Sequence, residues 1–142
     1  MFTLSPLELF GALIVAHMLC DYPLQGDFLA KAKNHTAPIP GVPWQQALAA
    51  HSIIHGGAVW LLTGLWWLGL LEALSHALID WAKSQKHFGF HTDQFLHVAF
   101  KALWVAAAVP FAGWSPFVLL LVPVIFATMI IPPGTHPQRS AP

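Results

Sequence analysis

The sequence predicts an all-α fold: a small polytopic membrane bundle of about five helices, with the N-terminus outside and the C-terminus inside. Three observations predict it. The chain has 142 residues, 56% hydrophobic and only 8% charged, against a usual charged share of about 25%. Mean hydropathy is +0.62, and so little charge leaves too little polar surface to dissolve a domain. Second, apolar runs close to the ~20 residues of one span alternate with breaks rich in Pro, Gly or charge. Third, acids and histidines recur four apart inside those runs: His17 and Asp21; His51 and His55; Glu72, His76 and Asp80; Asp93 and His97. That spacing puts each set on one face of a helix.

Ser5 and Pro6 read as a helix start, a cap residue followed by Pro in the first turn. The run from Leu7 to about Gln25 follows, with a kink expected at Pro23. Residues 29–43 read as a loop, broken by Asn34, Pro38, Pro40, Gly41 and Pro43. The second run spans Trp44 to about Leu62, and the third Leu65 to about Lys83, with Thr63-Gly64 as the turn. A single helix over Trp44–Lys83 would be roughly 60 Å long, twice the hydrocarbon thickness, so a hairpin is expected. Ser84–His91 is a polar connection, and Thr92 is the expected N-cap of a helix from Asp93 to about Val109. Ser115–Ile131 is a fifth apolar segment without an ionisable group. Residues 1–131 form one membrane-embedded domain, and the Pro-rich stretch 132–142 is expected to be disordered.

Consecutive spans alternate direction. The paired residues fall late in span one, early in span two, late in span three and early in span four. An up-down bundle therefore brings all four sets to one membrane face. Lys31, Lys33, Lys83, Lys86 and Arg139 lie on that side, which the positive-inside rule makes cytoplasmic. Trp60, Trp66, Trp67 and Trp114 would form the outer aromatic belt, and Trp44 and Trp81 the inner one.

Nine of the fifteen Asp, Glu and His residues belong to these sets. Intramembrane ionisable groups are costly and functional by default. Imidazole nitrogen with carboxylate oxygen suits a divalent ion, zinc first, with manganese or iron as alternatives. The expected ligands are His17, Asp21, His51, His55, His76, Asp80, Asp93 and His97, enough for two ions. His17 and Gln25 also suit a supporting role. Glu72 is the candidate general base or bridging ligand. Lys101, one turn beyond His97, either faces developing negative charge or pairs with a buried acid. The competing reading is that these groups only fasten helices together, a use that needs one or two polar residues. His35, His87, His91 and His136 read as loop residues, and Asp27, Lys31 and Lys33 as a solvated loop or a headgroup contact.

Zero net charge with neutral histidine argues against nucleic acid as a partner. The single cysteine, Cys20, excludes an intrachain disulfide and a cysteine-based zinc knuckle. The N-terminus lacks the basic region of a cleaved signal peptide. Membrane lipid is the expected surrounding, and a thin bundle leaves room for a homodimer.

The stretch His17-Met18-Leu19-Cys20-Asp21-Tyr22-Pro23-Leu24-Gln25 has a distinctive order. So do the His51/His55 pair, Glu72 through Lys83 around Ser75-His76-Ala77-Leu78-Ile79-Asp80, and Asp93-Gln94-Phe95-Leu96-His97. In these the chain resembles an uncharacterised bacterial and phage integral-membrane family, number 3307 in the domain-of-unknown-function series. The resemblance implies an inner-membrane location and supplies no activity. More loosely, the pattern is similar to the membrane-bound metal-dependent hydrolases. The expected function is a metal-dependent hydrolase at the cytoplasmic membrane interface, acting on a lipid or lipid-linked (phospho)ester through a metal-bound water. The alternatives are a di-iron membrane oxidoreductase, a metal or proton carrier, and a non-catalytic metal-binding or helix-packing module in phage–host interaction. An outer half with no ionisable residue but Glu8 argues against the carrier.

Overall fold

A computed structural model describes residues 4–109. Among them are five helices and no strand: α1 (Pro6–Asp21), α2 (Gly26–Ala32), α3 (Trp44–Thr63), α4 (Trp66–Ser84) and α5 (Phe90–Ala108). The expected segment 115–131, the tail, Trp114, His136 and Arg139 lie outside the described residues.

The start of α1 is a capping box. Ser5 Oγ accepts the Glu8 N–H at 3.4 Å, and Glu8 Oε2 accepts the Ser5 N–H at 2.8 Å. The helix ends at Asp21 ahead of Pro23, which cannot donate the next ladder bond. The chain restarts as α2, bent 84° from α1. The expected loop at 29–43 is thus helical over 29–32. No proline interrupts Gly26–Ala32, and the breakers begin only at Asn34.

The hairpin between α3 and α4 forms where Thr63-Gly64 places it. Gly64 adopts φ 73°, the left-handed conformation that glycine takes at little cost, and its N–H closes on the Trp60 carbonyl at 2.7 Å. α3 packs most extensively on α4; α1 packs on α3 and α5, α5 on α4, and α2 on α3. α5 begins three residues before the expected position, capped by Gly89 rather than Thr92. The nearest breaker sets this start, with the Asp93 N–H bonded to the Gly89 carbonyl at 3.1 Å. His91 is accordingly helical, not a loop residue.

Gly56 and Gly69 sit face to face where α3 crosses α4. A Cβ built on Gly69 would lie 2.6 Å from the Gly56 carbonyl oxygen and 2.8 Å from Trp60 Cβ. Only glycine lets these backbones approach so closely. Gly69→Val is expected to destabilise the fold by about 1–3 kcal/mol through overpacking, read as a lowered midpoint in denaturant unfolding. An unchanged midpoint would show that the helices can separate freely.

No single described helix is long and apolar enough to cross a membrane; α1 and α2 meet that standard only as a bent pair, by length and composition. The expectation of about five spans is not met at the level of single helices. The reason is internal: the His, Asp, Glu and Lys of the inward stripes lower the hydropathy of α3, α4 and α5.

The core divides along the bundle axis. Leu9, Leu13, Val59, Leu68, Phe100 and Trp104 gather mostly at one end, in an apolar cluster that Ile79 and Leu96 extend beside the polar residues. At the other end, late α1, early α3, late α4 and early α5 bury a polar cluster. Antiparallel packing makes this division, because each helix contributes its apolar stretch to one end and its polar stretch to the other.

Candidate metal centre

His17, His51, His55, Glu72, His76, Asp80, Asp93 and His97 are all buried, and Asp21 is nearly so, its side chain 12% exposed. Their helical spacing explains the convergence. On α1, Leu9, Leu13, His17 and Asp21 form one inward stripe at intervals of four. On α4 the same interval carries Leu68, Glu72, His76 and Asp80.

Asp21 is the hub. Its Oδ1 lies 3.1 Å from His55 Nε2, 3.4 Å from His51 Nε2 and 3.9 Å from His76 Nε2. Its Oδ2 lies 3.3 Å from His17 Nε2. His51 and His76 bring their Nε2 atoms within 3.1 Å of each other. The imidazoles crowd round His76, whose ring stacks on His55 at 3.6 Å and on His97 at 4.2 Å between centroids.

These separations suit a shared cation. A tetrahedral shell with bonds of ~2.0–2.1 Å has ligand–ligand edges of roughly 3.3–3.4 Å. Asp21, His51, His55 and His76 offer one donor atom each, all within 4.8 Å of one another. Two further sets adjoin it: His17, His76 and His97 share His76 with it, and Asp80, Asp93 and His97 share His97 with that second set. Asp80 Oδ2 also lies 3.5 Å from His51 Nε2 and 3.6 Å from His76 Nε2. Asp80 therefore reaches two of the sets. Unpaired atoms point the same way: His17 Nε2, which faces Asp21, and Asp93 Oδ1, which faces His97, are buried without a hydrogen bond, which is costly unless something else compensates. The buried His/Asp groups can hold metal ions.

Glu72 and Lys101 lie deeper, towards the apolar half. Glu72 Oε1 is paired with Lys101 Nζ and lies 3.4 Å from His76 Nδ1, while Oε2 accepts the Trp104 Nε1–H at 2.5 Å. Both carboxylate oxygens are engaged. Lys101 pairs with a buried acid, the second of its two expected arrangements, and does not face open space. Trp104 was not anticipated, although it follows Lys101 by three on the same helix face.

Two lysines close the centre on the side of α2. Lys33 Nζ bonds Asp80 Oδ2 at 2.6 Å, and Lys83 Nζ bonds Asp93 Oδ2 at 2.5 Å. Lys33 is thus no freely solvated loop residue. Gln94 Nε2 donates to Asp93 Oδ2 at 3.1 Å and to Asp21 Oδ2 at 3.5 Å, and Gln25 Nε2 donates to the Asp21 carbonyl at 2.9 Å. Lys33 and Gln94 were missed because their reach depends on how helices pack. Lys83 pairs across the α4–α5 connection with Asp93, ten residues on, which helical spacing does not show. His35, although in a loop, stacks on Trp81 at 5.5 Å with rings 9° apart.

No curated protein and no solved structure matches the chain. A family model does match it, over residues 9–119, most of the sequence and every residue of the centre. The chain belongs to the family described as "Protein of unknown function (DUF3307)".

Proposed function

We propose that the protein is a metal-dependent hydrolase at a membrane interface, acting on a lipid or lipid-linked ester or phosphoester. The observation that carries the reading is the convergence of Asp21, His51, His55 and His76 on one small volume. These four would hold one ion. Asp93 and His97, with Asp80, would hold a second. A divalent ion so held supplies an activated water and polarises a carbonyl or phosphoryl oxygen. Zinc is the first choice for the His-rich set, and manganese or iron suits the carboxylate-rich one.

The chain's own residues do the rest. Glu72 lies 3.4 Å from His76 Nδ1, on the side of the ring away from Nε2, the place of a carboxylate behind a metal-bound imidazole. Lys101 and Trp104 fix Glu72 in turn. Glu72 and Lys101 act here as positioning residues. Gln94 orients Asp21 and Asp93. Lys33 and Lys83 stand on the open side, where a substrate anion arrives.

A membrane setting is supported by the outer surface. Leu61 is 83% exposed and Leu7 80%, with Ile53, Trp66 and Phe95 also facing outward, and large exposed apolar patches mark membrane or partner contact. Trp60, Trp66 and Trp67 gather at the hairpin, and Trp44 and Trp81 at the other end of the same helices. The helical rise from Trp44 to Trp60 is about 24 Å, comparable with a hydrocarbon core of ~30 Å. With the lysine-bearing end cytoplasmic, the centre opens to the inner face of a bacterial inner membrane.

The test is metal content by mass spectrometry on detergent-purified chain, beside a His76→Ala/Asp80→Ala variant, with turnover of a short-chain lipid phosphoester measured on both. Stoichiometric zinc or manganese is expected, lost in the variant together with turnover. Stoichiometric iron would point to the oxidoreductase instead. No metal in either protein would reduce the cluster to a polar network between helices.

A further inference from the structure

We infer that the cleft lined by Lys33, Lys83 and Lys86 is a phosphate-binding site, which receives the phosphate group of the substrate at the mouth of the metal centre. The inference rests on the hydrolase reading for the word substrate and on separate observations for the anion site. The cleft measures about 350 Å³ and lies between the chain after α2 and the end of α4; Gln25, Asn34, Thr36, Asp80 and Ser84 complete its polar wall. Three ammonium groups meet one carboxylate, Asp80, in that lining. Asp80 is also the residue that reaches two ligand sets, so the cleft and the centre share a wall. Lysine binds phosphate as a point charge without fixed geometry, which suits a lining of three separate lysines.

Lys86, on the same lining, also stands out in its backbone. It is the one non-glycine residue with positive φ among the described residues, at 62°. It occupies the left-handed position that ends α4: its N–H bonds the Lys83 carbonyl at 2.9 Å, and the His87 N–H bonds the Ala82 carbonyl at 3.2 Å. That pair of bonds is the Schellman arrangement, in which glycine is the favoured residue. A lysine there costs local backbone energy that glycine would not. Such outliers cluster at functional sites. Lys33 and Lys83 keep Asp80 and Asp93 neutralised in the absence of an anion. Were a cation to take those carboxylates, both lysines would be released to the phosphate.

The test is calorimetric titration of the full chain in detergent with inorganic phosphate and, separately, with dihexanoyl phosphatidic acid. Metal content is measured on the same samples. Lys86→Gly removes the charge and relaxes the backbone, so it folds at least as well as the native chain. It is expected to weaken both ligands by about fivefold, the upper end for one exposed charge. Lys86→Glu is expected to weaken them further, and added salt to weaken the native chain. Tighter binding of the lipid than of inorganic phosphate assigns the site to a headgroup; equal binding assigns it to a free phosphate. Equal affinities in the native chain and both Lys86 variants would overturn the cleft assignment, and so would no binding to the native chain. Metal content reads the other proposal separately: a metal-free chain that still loses phosphate on Lys86→Gly keeps the anion site and sinks the hydrolase.

Discussion

Asp21→Asn is expected to empty the metal centre while the bundle stays folded. One carboxylate oxygen of Asp21 lies within 3.1–3.9 Å of three histidines, His55, His51 and His76, and the other lies 3.3 Å from His17. Among the candidate carboxylates, Asp21 lies against the most histidines. The amide has the same shape, so packing survives, but it carries no charge and turns a donor or a weaker acceptor towards those nitrogens. Loss of a residue that merely orients a ligand costs ~10–100-fold in metal affinity, so loss of Asp21 itself is expected to cost about 100-fold or more. Competition with a chromogenic chelator reads this directly. A stability measurement gives the same answer by another route. An ion at 1,000 times its Kd stabilises the folded chain by about 4.1 kcal/mol. A strong chelator should therefore lower the unfolding midpoint of the native protein and leave that of Asp21→Asn unmoved. If both respond alike, Asp21 is not a ligand.

Lys101→Met is expected to be the most destabilising single change at the buried end of the centre. Lys101 and Glu72 are each almost wholly buried, and each is the other's charge partner. Removing one partner of such a pair leaves an uncompensated charge and costs about 3–5 kcal/mol. Much of the penalty belongs to the abandoned carboxylate rather than to the lost attraction, which gives a check. Lys101→Met combined with Glu72→Gln removes both charges, and the glutamine carbonyl still accepts the Trp104 indole N–H. The double variant is expected to recover most of the loss in equilibrium unfolding. A double variant as unstable as Lys101→Met alone would mean that packing, not the unpaired charge, sets the cost. Metal affinity should follow the same order, because Glu72 is the group behind His76.

Much of this was legible in sequence because it is helix-local. Ser5, Pro6 and Glu8 specify the start of α1 through bonds within four residues. Gly64 specifies the hairpin because one left-handed residue suffices to end α3. The intervals of four on α1, α3, α4 and α5 specify which faces carry the ligands, and the alternation of late and early positions specifies that the faces meet. Family membership followed from the order of the same residues.

Other features depended on three-dimensional neighbours. The bend after α1 was visible at Pro23, but not that α2 would follow at 84° and bring Lys33 onto Asp80, 47 positions away in the chain. No local rule fixes such a contact; it is set by how the second helix packs on α3. The role of Lys101 had two arrangements with the same sequence signal, and only the position of Glu72 on the facing helix decided between them. The same holds for the two donor sets that share His76. Spacing along a helix assigns residues to a face, whereas the distances between faces come from crossings such as Gly56 on Gly69. The sequence by itself determined an all-α chain with inward-facing ligand stripes, because helical periodicity is a property of the local backbone. The tertiary structure alone decided which carboxylates the lysines neutralise and which histidines share an oxygen of Asp21, because those depend on packing between helices far apart in sequence.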